Sequence, residues 1–255
     1  MLACSTSCPT RWVLACVALA FTAGAWAQGV CSSDGVRPPT ALLERFFSAD
    51  CEACWTQPVS PSPHTPGKEA SLALDWIAPG FQGDEAPLSA AATRDALTRL
   101  DALDIGHPPA DRTAQHLSHA RHPSRGTAAD VAVRVAMGPA LGGYLGTSIT
   151  VRYHPAGGNG PARWTLWLAL VETVAAGTEG SPVARNLVRN LYTATNGNGS
   201  LLSKSKHNEW FESRVMSIPA GARPERLQVI GWVQDSRGHM VAIAKSVCTP
   251  ETETR

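Results

Sequence analysis

The feature that most constrains the fold is a pair of cysteines placed directly after a short apolar run. Residues 41–55 read ALLERFFSADCEACW, and the run 42–47 has the length and composition of a strand, although Glu44 and Arg45 interrupt it. A helix that begins at Cys51 would place Cys54 on the same face. Its first N–H groups would point at the sulfur of Cys51 and favour the thiolate. The spacing therefore allows the two cysteines to form a disulfide.

A strand followed by Cys-x-x-Cys is typical of a thioredoxin-type redox site, with Cys51 as the nucleophile and Cys54 as the resolving cysteine. The neighbouring residues weaken this reading, because Asp50 and Glu52 add negative charge beside Cys51. A proline at position 58 limits a helix that begins at Cys51 to barely two turns. The motif alone leaves a redox dithiol and a static disulfide open, and metal binding is a third alternative.

Residues 1–27 have the pattern of an export signal. Arg11 supplies the positive charge, Trp12 to Ala23 form the apolar region, and Ala25-Trp26-Ala27 form a small-x-small cleavage site. No later segment is long and apolar enough to cross a membrane. We therefore expect an exported protein, periplasmic or secreted, without a stable membrane span.

Export determines how the other cysteines are interpreted. Removal of the signal leaves Cys31, Cys51, Cys54 and Cys248, an even number for an oxidising compartment. Four cysteines allow three pairings. Closeness in sequence favours Cys51–Cys54, and this pairing leaves Cys31 to bond with Cys248.

Several functional classes find no support in the sequence. The formal net charge is +1 without a basic face, so nucleic acid is not expected as a partner. Neither a phosphate-binding loop nor a hydrolase motif is present, and no cofactor is predicted. The histidines at positions 107, 116, 119 and 122 suggest a metal site, but their surroundings favour a solvated loop, and no metal ligand is predicted.

The rest of the chain divides into a helix and a series of strands. Leu88, Ala92, Ala96, Leu100 and Leu103 form one apolar stripe, which predicts a helix over 88–103 with Ser89 as its N-cap. A buried strand is predicted at 71–77. After residue 125, six or seven strand-like runs predict a mostly antiparallel β unit, including a hairpin of 227–234 and 239–247. Its tryptophans at 164, 167, 210 and 232 are candidate contacts for a partner if they are exposed.

Three stretches resemble a family of secreted bacterial proteins of unknown function. They are LERFFSADCEAC, LALDW, and ARNLVRNLYT followed by LQVIGWVQDSRGHMVAIA. The resemblance implies a thioredoxin-like N-terminal part and a β-rich C-terminal part. The chain departs from that pattern in two ways: a proline-rich stretch replaces the helix after the cysteines, and no clear cis-proline candidate stands beside them.

These observations predict an α+β fold. Residues 28–125 would form a thioredoxin-like part, and residues 126–255 a mostly antiparallel, sandwich-like part. Two functions are compatible with it. The first is thiol-disulfide exchange through Cys51 and Cys54, with exported protein thiols or disulfides as partners. The second is a non-enzymatic binding or structural module in which both disulfides are structural.

Overall fold

The computed structural model describes residues 30–57, 71–121, 130–154, 163–196, 204–206 and 208–248. These residues contain two α-helices, α1 (Glu52–Thr56) and α2 (Arg94–Ala102), and thirteen strands. The strands are β1 (Cys31–Ser32), β2 (Ala41–Ser48), β3 (Ser71–Ala78), β4 (Ala114–His119), β5 (Asp130–Leu141), β6 (Tyr144–His154), β7 (Trp164–Val174), β8 (Arg185–Thr195), β9 (Lys204–Lys206), β10 (Glu209–Ser217), β11 (Leu227–Asp235), β12 (Met240–Lys245) and β13 (Val247–Cys248).

The strands form two sheets. Sheet A has the order β13-β1-β5-β6-β10-β9, and sheet B has the order β12-β11-β7-β8-β3-β2-β4. Most neighbours are antiparallel, but β2 runs parallel to β3, and β3 pairs in parallel with β8 at Asp75 and Leu187. Sheet B therefore combines strands from the N-terminal half of the chain, β2 to β4, with strands from the C-terminal half. Its two edge strands are β4 and β12.

The predicted α+β fold with a thioredoxin-like N-terminal part is wrong, because the described chain is mostly β. The helix that begins after Cys51 has only five residues, and α2 has only nine. Two such short helices cannot cover a sheet as the helical layers of an α/β unit do. Instead, β2 and β3 join the sheet of the C-terminal strands. The predicted domain boundary at residues 125–126 and the signal at residues 1–27 lie outside the described residues.

The main core lies between the two sheets. Side chains from β5 and β6 of sheet A, among them Val135 and Ile149, pack against those of β7 and β11 of sheet B. Gly231 on β11 faces this core between the buried Val229 and Val233. A Cβ atom at Gly231 would lie 2.6 Å from both Val135 Cγ1 and Ile149 Cδ1. The glycine is therefore needed for the close approach of the two sheets.

Gly231→Ala is expected to destabilise the protein by about 1–3 kcal/mol, because the added methyl group overpacks a dense core. Urea unfolding followed by tryptophan fluorescence measures this change. Gly146→Ala on β6 is the matched control, since nothing lies within 4 Å of a Cβ atom there. Equal stability of the Gly231→Ala and Gly146→Ala variants would contradict the close packing described here.

A second core lies on the other face of sheet B, under α2. Ala96 and Leu100 of this helix pack with Phe46 of β2 and Trp76 of β3. The predicted helix therefore exists, but it begins at Arg94 and is capped by Thr93, whose side chain accepts a hydrogen bond from the amide of Asp95. A short 3-10 turn, Ser89–Ala91, precedes it and replaces the predicted Ser89 cap.

Several strand predictions are confirmed, including β2, β3 and the β11–β12 hairpin. The solvated loop predicted around the histidines is wrong in part, because residues 114–119 form β4, paired with β2 along its edge. His116 and His119 lie on this strand, three positions apart, so their side chains point to opposite faces. His122 lies outside the described residues. Among the residues that the structure does describe, no group of three His, Cys, Asp or Glu side chains is placed to hold a metal ion.

Candidate functional site

The Cys51–Cys54 disulfide lies at the junction between β2 and α1. The structure contains a bond between these two sulfurs, and the Cys51 sulfur also accepts a hydrogen bond from the amide of Cys54 at 3.2 Å. The β2 strand ends at Ser48, whose carbonyl oxygen accepts from the amide of Cys51 at 3.0 Å. Cys51 is 2% exposed and Cys54 is 8% exposed. Both cysteines of this disulfide are therefore buried.

The negative charge of Asp50 was expected to disfavour a thiolate at Cys51. In the structure, the Asp50 carboxylate is hydrogen-bonded to the loop after β3. It accepts hydrogen bonds from the amides of Phe81 at 2.7 Å and Gln82 at 3.2 Å. Desolvation acts to raise the pKa of Asp50, but these amide hydrogen bonds outweigh it and hold the pKa below its ordinary value. A Cβ atom at Gly80 would lie 2.1 Å from the carboxylate. Asp50 therefore fixes the loop after β3 against the start of α1.

Trp55 fixes α1 from the other side. Its indole Nε1–H donates to the carbonyl oxygen of Glu179 at 2.7 Å, in the turn between β7 and β8. Glu179 adopts φ of 50°, a left-handed conformation uncommon outside glycine. The Trp55 ring is buried beside Phe47, with ring centroids 6.3 Å apart. Trp55 thus binds α1 to the β7–β8 hairpin.

Arg185, the first residue of β8, donates hydrogen bonds to the carbonyl groups at the C-terminal end of α1. Its Nη2 donates to the carbonyl oxygens of Cys54 at 3.2 Å, Trp55 at 2.5 Å and Gln57 at 3.2 Å. The last carbonyls of a helix have no partner within it and carry partial negative charge. The guanidinium also lies 4.7 Å from the centroid of the Trp55 ring. A buried cation therefore supports the helix that contains Cys54 and begins directly after Cys51.

Arg185 belongs to a buried group of three charges, which we call the arginine–aspartate cluster (Arg45, Asp75 and Arg185). Arg45 Nε and Nη2 each lie 2.7 Å from a different carboxylate oxygen of Asp75, and Arg185 Nη1 lies 3.5 Å from Asp75. All three side chains are 2% exposed or less. Burial and the like charge of Arg45 lower the pKa of Arg185, and Asp75 opposes this. The cluster holds two positive charges and one negative charge.

Neither Arg45 nor Asp75 was predicted to belong to a charged cluster. Arg45 was read only as an interruption of a strand, and Asp75 only as part of the stretch LALDW. The available signal was the presence of charged residues inside segments that are otherwise apolar, since such residues are buried only when they are paired.

The four tryptophans that were candidate contacts for a partner do not form an exposed surface. Trp164, Trp167, Trp210 and Trp232 are all buried.

No protein-family model matches the chain, and no curated protein matches it. Among solved structures, the chain is similar to HBP35 of Porphyromonas gingivalis, with 11% identity, a TM-score of 0.47, and coverage of 85% of this chain and 76% of that one. It is also similar to a domain of the outer membrane lipoprotein Omp28 from Porphyromonas gingivalis, with 9% identity, a TM-score of 0.28, and coverage of 53% and 98%. Both TM-scores lie below 0.5, so neither likeness defines the fold or the function.

Within the described ranges, none of the helices has the length and apolar character needed to cross a bilayer.

Proposed function

We propose that this chain is an exported, non-enzymatic binding or structural module in which both disulfides are structural. The observation that carries this proposal is the burial of Cys51 and Cys54, at 2% and 8% exposure. Thiol-disulfide exchange requires a thiolate to reach one sulfur in line with the bond, so a reactive disulfide needs an exposed sulfur. The contacts made by Asp50, Trp55 and Arg185 hold α1 in place and oppose the opening that would provide one.

Export is part of the proposal. Two disulfides within one chain are typical of oxidising compartments and rare in the cytosol. The pattern of Arg11, the apolar run after it and the Ala-x-Ala site is that of an export signal. Both features support a location outside the cytoplasm, in a periplasm or beyond the cell.

A second candidate is thiol-disulfide exchange through Cys51 and Cys54, and the arginine–aspartate cluster favours it. Arg185 bonds to the carbonyl oxygen of Cys54, and the cluster has an excess of positive charge. If the disulfide opened, that charge would stabilise a thiolate in the reduced form. A stabilised reduced form makes a disulfide more oxidising.

The reduction potential distinguishes the two functions. For the structural module, we expect both disulfides to stay closed in glutathione buffers until the potential falls below about −300 mV, because the folded state holds Cys51 next to Cys54 and pairs Cys31 with Cys248 across β1 and β13, which favours both closed bonds. The measurement is equilibration of the purified protein without residues 1–27, followed by acid quenching, alkylation and mass-spectrometric counting of the modified cysteines.

A Cys31→Ser, Cys248→Ser double variant assigns any early reduction to Cys51–Cys54. Titration of that bond between about −120 and −270 mV, the range of known oxidoreductases, would overturn the structural role and support the exchange reaction. The next experiment would then be trapping of mixed disulfides with Cys54→Ser.

A further inference from the structure

The two edge strands of sheet B, β4 and β12, meet at one point although they lie at opposite ends of the strand order. Shortly after β4 ends, the amide of Arg121 donates to the carbonyl oxygen of Met240, the first residue of β12, at 3.2 Å. Met240 is 1% exposed and belongs to the second core, under α2, and Ala120 packs against the same core. The contact therefore joins the two edges of the sheet over part of this core.

Three side chains reinforce this contact, and we call them the edge clasp (Arg121, Asp235 and His239). Nη1 of Arg121 lies 3.3 Å from Oδ2 of Asp235, and its Nη2 lies 2.5 Å from Nδ1 of His239. Asp235 and His239 belong to the β11–β12 hairpin, and the amide of His239 donates to Oδ1 of Asp235 at 2.9 Å. Arg121 thus comes from a different part of the chain than its two partners.

Nδ1 of His239 is within reach of two groups that require opposite protonation states. A guanidinium can only donate hydrogen bonds, so the contact with Arg121 requires a neutral ring in which Nδ1 accepts. An ionised carboxylate can only accept, and Oδ2 of Asp235 lies 3.3 Å from the same nitrogen. A bond to Asp235 therefore requires a proton on Nδ1, and the two bonds exclude each other.

Histidine is the member of the edge clasp that changes its charge near neutral pH. Histidine side chains ordinarily gain a proton between pH 5 and 8, whereas arginine stays charged. Desolvation acts to raise the pKa of Asp235, but hydrogen bonds from the amides of His239 and Arg237 outweigh it and hold the pKa below its ordinary value. The charged groups that meet the His239 ring in the described residues, Arg121 and Asp235, therefore keep their charges in this range.

We infer that the edge clasp is a pH-sensitive switch, which holds the end of β4 against β12 when His239 is neutral and releases it when His239 takes up a proton. The added proton occupies Nδ1, so the ring loses the bond from Arg121, faces a like charge there and donates to Asp235 instead. The bond to Asp235 lies within one hairpin and persists when β4 moves away, whereas the contact with Arg121 exists only in the closed arrangement. The proton therefore favours the open arrangement, in which the core around Met240 gains access to water.

This regulation goes beyond the proposed function, and its failure in a test would leave that proposal intact. The disulfide titration reports on sulfur atoms, and neither cysteine pair includes a residue of the edge clasp. The two experiments therefore give separate answers.

Hydrogen exchange of the amide at position 121 tests the switch in the oxidised protein, since the bond from this amide to Met240 joins the two edges. Its protection factor, the exchange rate corrected for the intrinsic effect of pH, should fall about fivefold between about pH 7.5 and about pH 5.5. The expected change is modest because Arg121 and His239 are about half exposed, and water weakens exposed contacts between charged groups. The methyl resonance of Met240 should shift over the same range of pH.

Three variants assign the effect. His239→Gln takes up no proton in this range and should show equal protection at both pH values, whereas Arg121→Gln should show the low protection at both. The control is a His119→Gln, His122→Gln double variant, which removes the two histidines that flank Arg121 in sequence and should keep the fall of about fivefold. The inference is overturned if protection in the parent does not change with pH, if His239→Gln keeps the change, if the control loses it, or if Arg121→Gln behaves as the parent does.

Discussion

Asp75→Asn is expected to destabilise the protein by about 3–5 kcal/mol, since it removes the carboxylate that pairs with two buried arginines. Arg45 and Arg185 would both stay in the core, at 2% exposure or less, without the carboxylate that pairs with them. Asparagine keeps the size of the side chain, so the change acts on charge rather than on packing. Chemical unfolding in urea, with the disulfides oxidised, measures the loss.

The chain offers a matched control for this change. Asp34 and Arg134 form an ion pair with the same two-bond geometry, at 2.8 and 2.6 Å, but at the surface. Exposed pairs of this kind contribute little to stability, because water solvates both charges well. Asp34→Asn should therefore leave the unfolding midpoint nearly unchanged. If Asp75→Asn had an equally small effect, the arginine–aspartate cluster would not be the buried, charge-dependent unit described above.

The second large effect is expected on removal of the Cys31–Cys248 disulfide. A Cys31→Ser, Cys248→Ser variant should lose roughly 5 kcal/mol, because the bond closes a very long loop and restricts the unfolded chain strongly. Its cysteines are 217 residues apart and occupy paired positions on the two-residue strands β1 and β13. The free energy of unfolding of the oxidised proteins, compared by urea titration, tests this expectation.

The Cys51→Ser, Cys54→Ser variant provides the comparison. Its loop spans only three residues, so the same entropy relation gives a smaller loss of about 2 kcal/mol. The essential result is which of the two double variants loses more free energy of unfolding. A larger loss for the short loop would show that local packing around α1, rather than restriction of the unfolded chain, determines how the disulfides stabilise this protein.

Features that depend on neighbouring residues were predictable from the sequence. The β2 and β3 strands follow from short apolar runs, and the β11–β12 hairpin follows from its turn, with Gly238 at φ of 78°. The amphipathic stripe located α2 and identified Ala96 and Leu100 as buried. Sequence alone placed the start of this helix too early, because Ser89 and Thr93 are both acceptable caps and only the packing against sheet B selects Thr93.

Features that depend on distant residues were not predictable in the same way. β4 has a polar sequence, and it becomes a strand because β2 offers it an unpaired edge. Glu44 and Arg45 lie inside β2 because each meets a partner from far along the chain, Arg99 on α2 and Asp75 on β3. The thioredoxin-like expectation failed for the same reason. The strand and the cysteines indicate only a local arrangement, and the fold depends on the pairing of β3 with β8.

The Cys31–Cys248 bond also has a mechanical consequence. Tension applied to the chain before Cys31 and after Cys248 passes through one covalent bridge, because the bond joins the two positions directly. The strands between them form a closed loop that carries none of this load. A pulling experiment on the oxidised protein should therefore extend only the segments outside the bridge, and reduction of this bond should let the same force unravel both sheets.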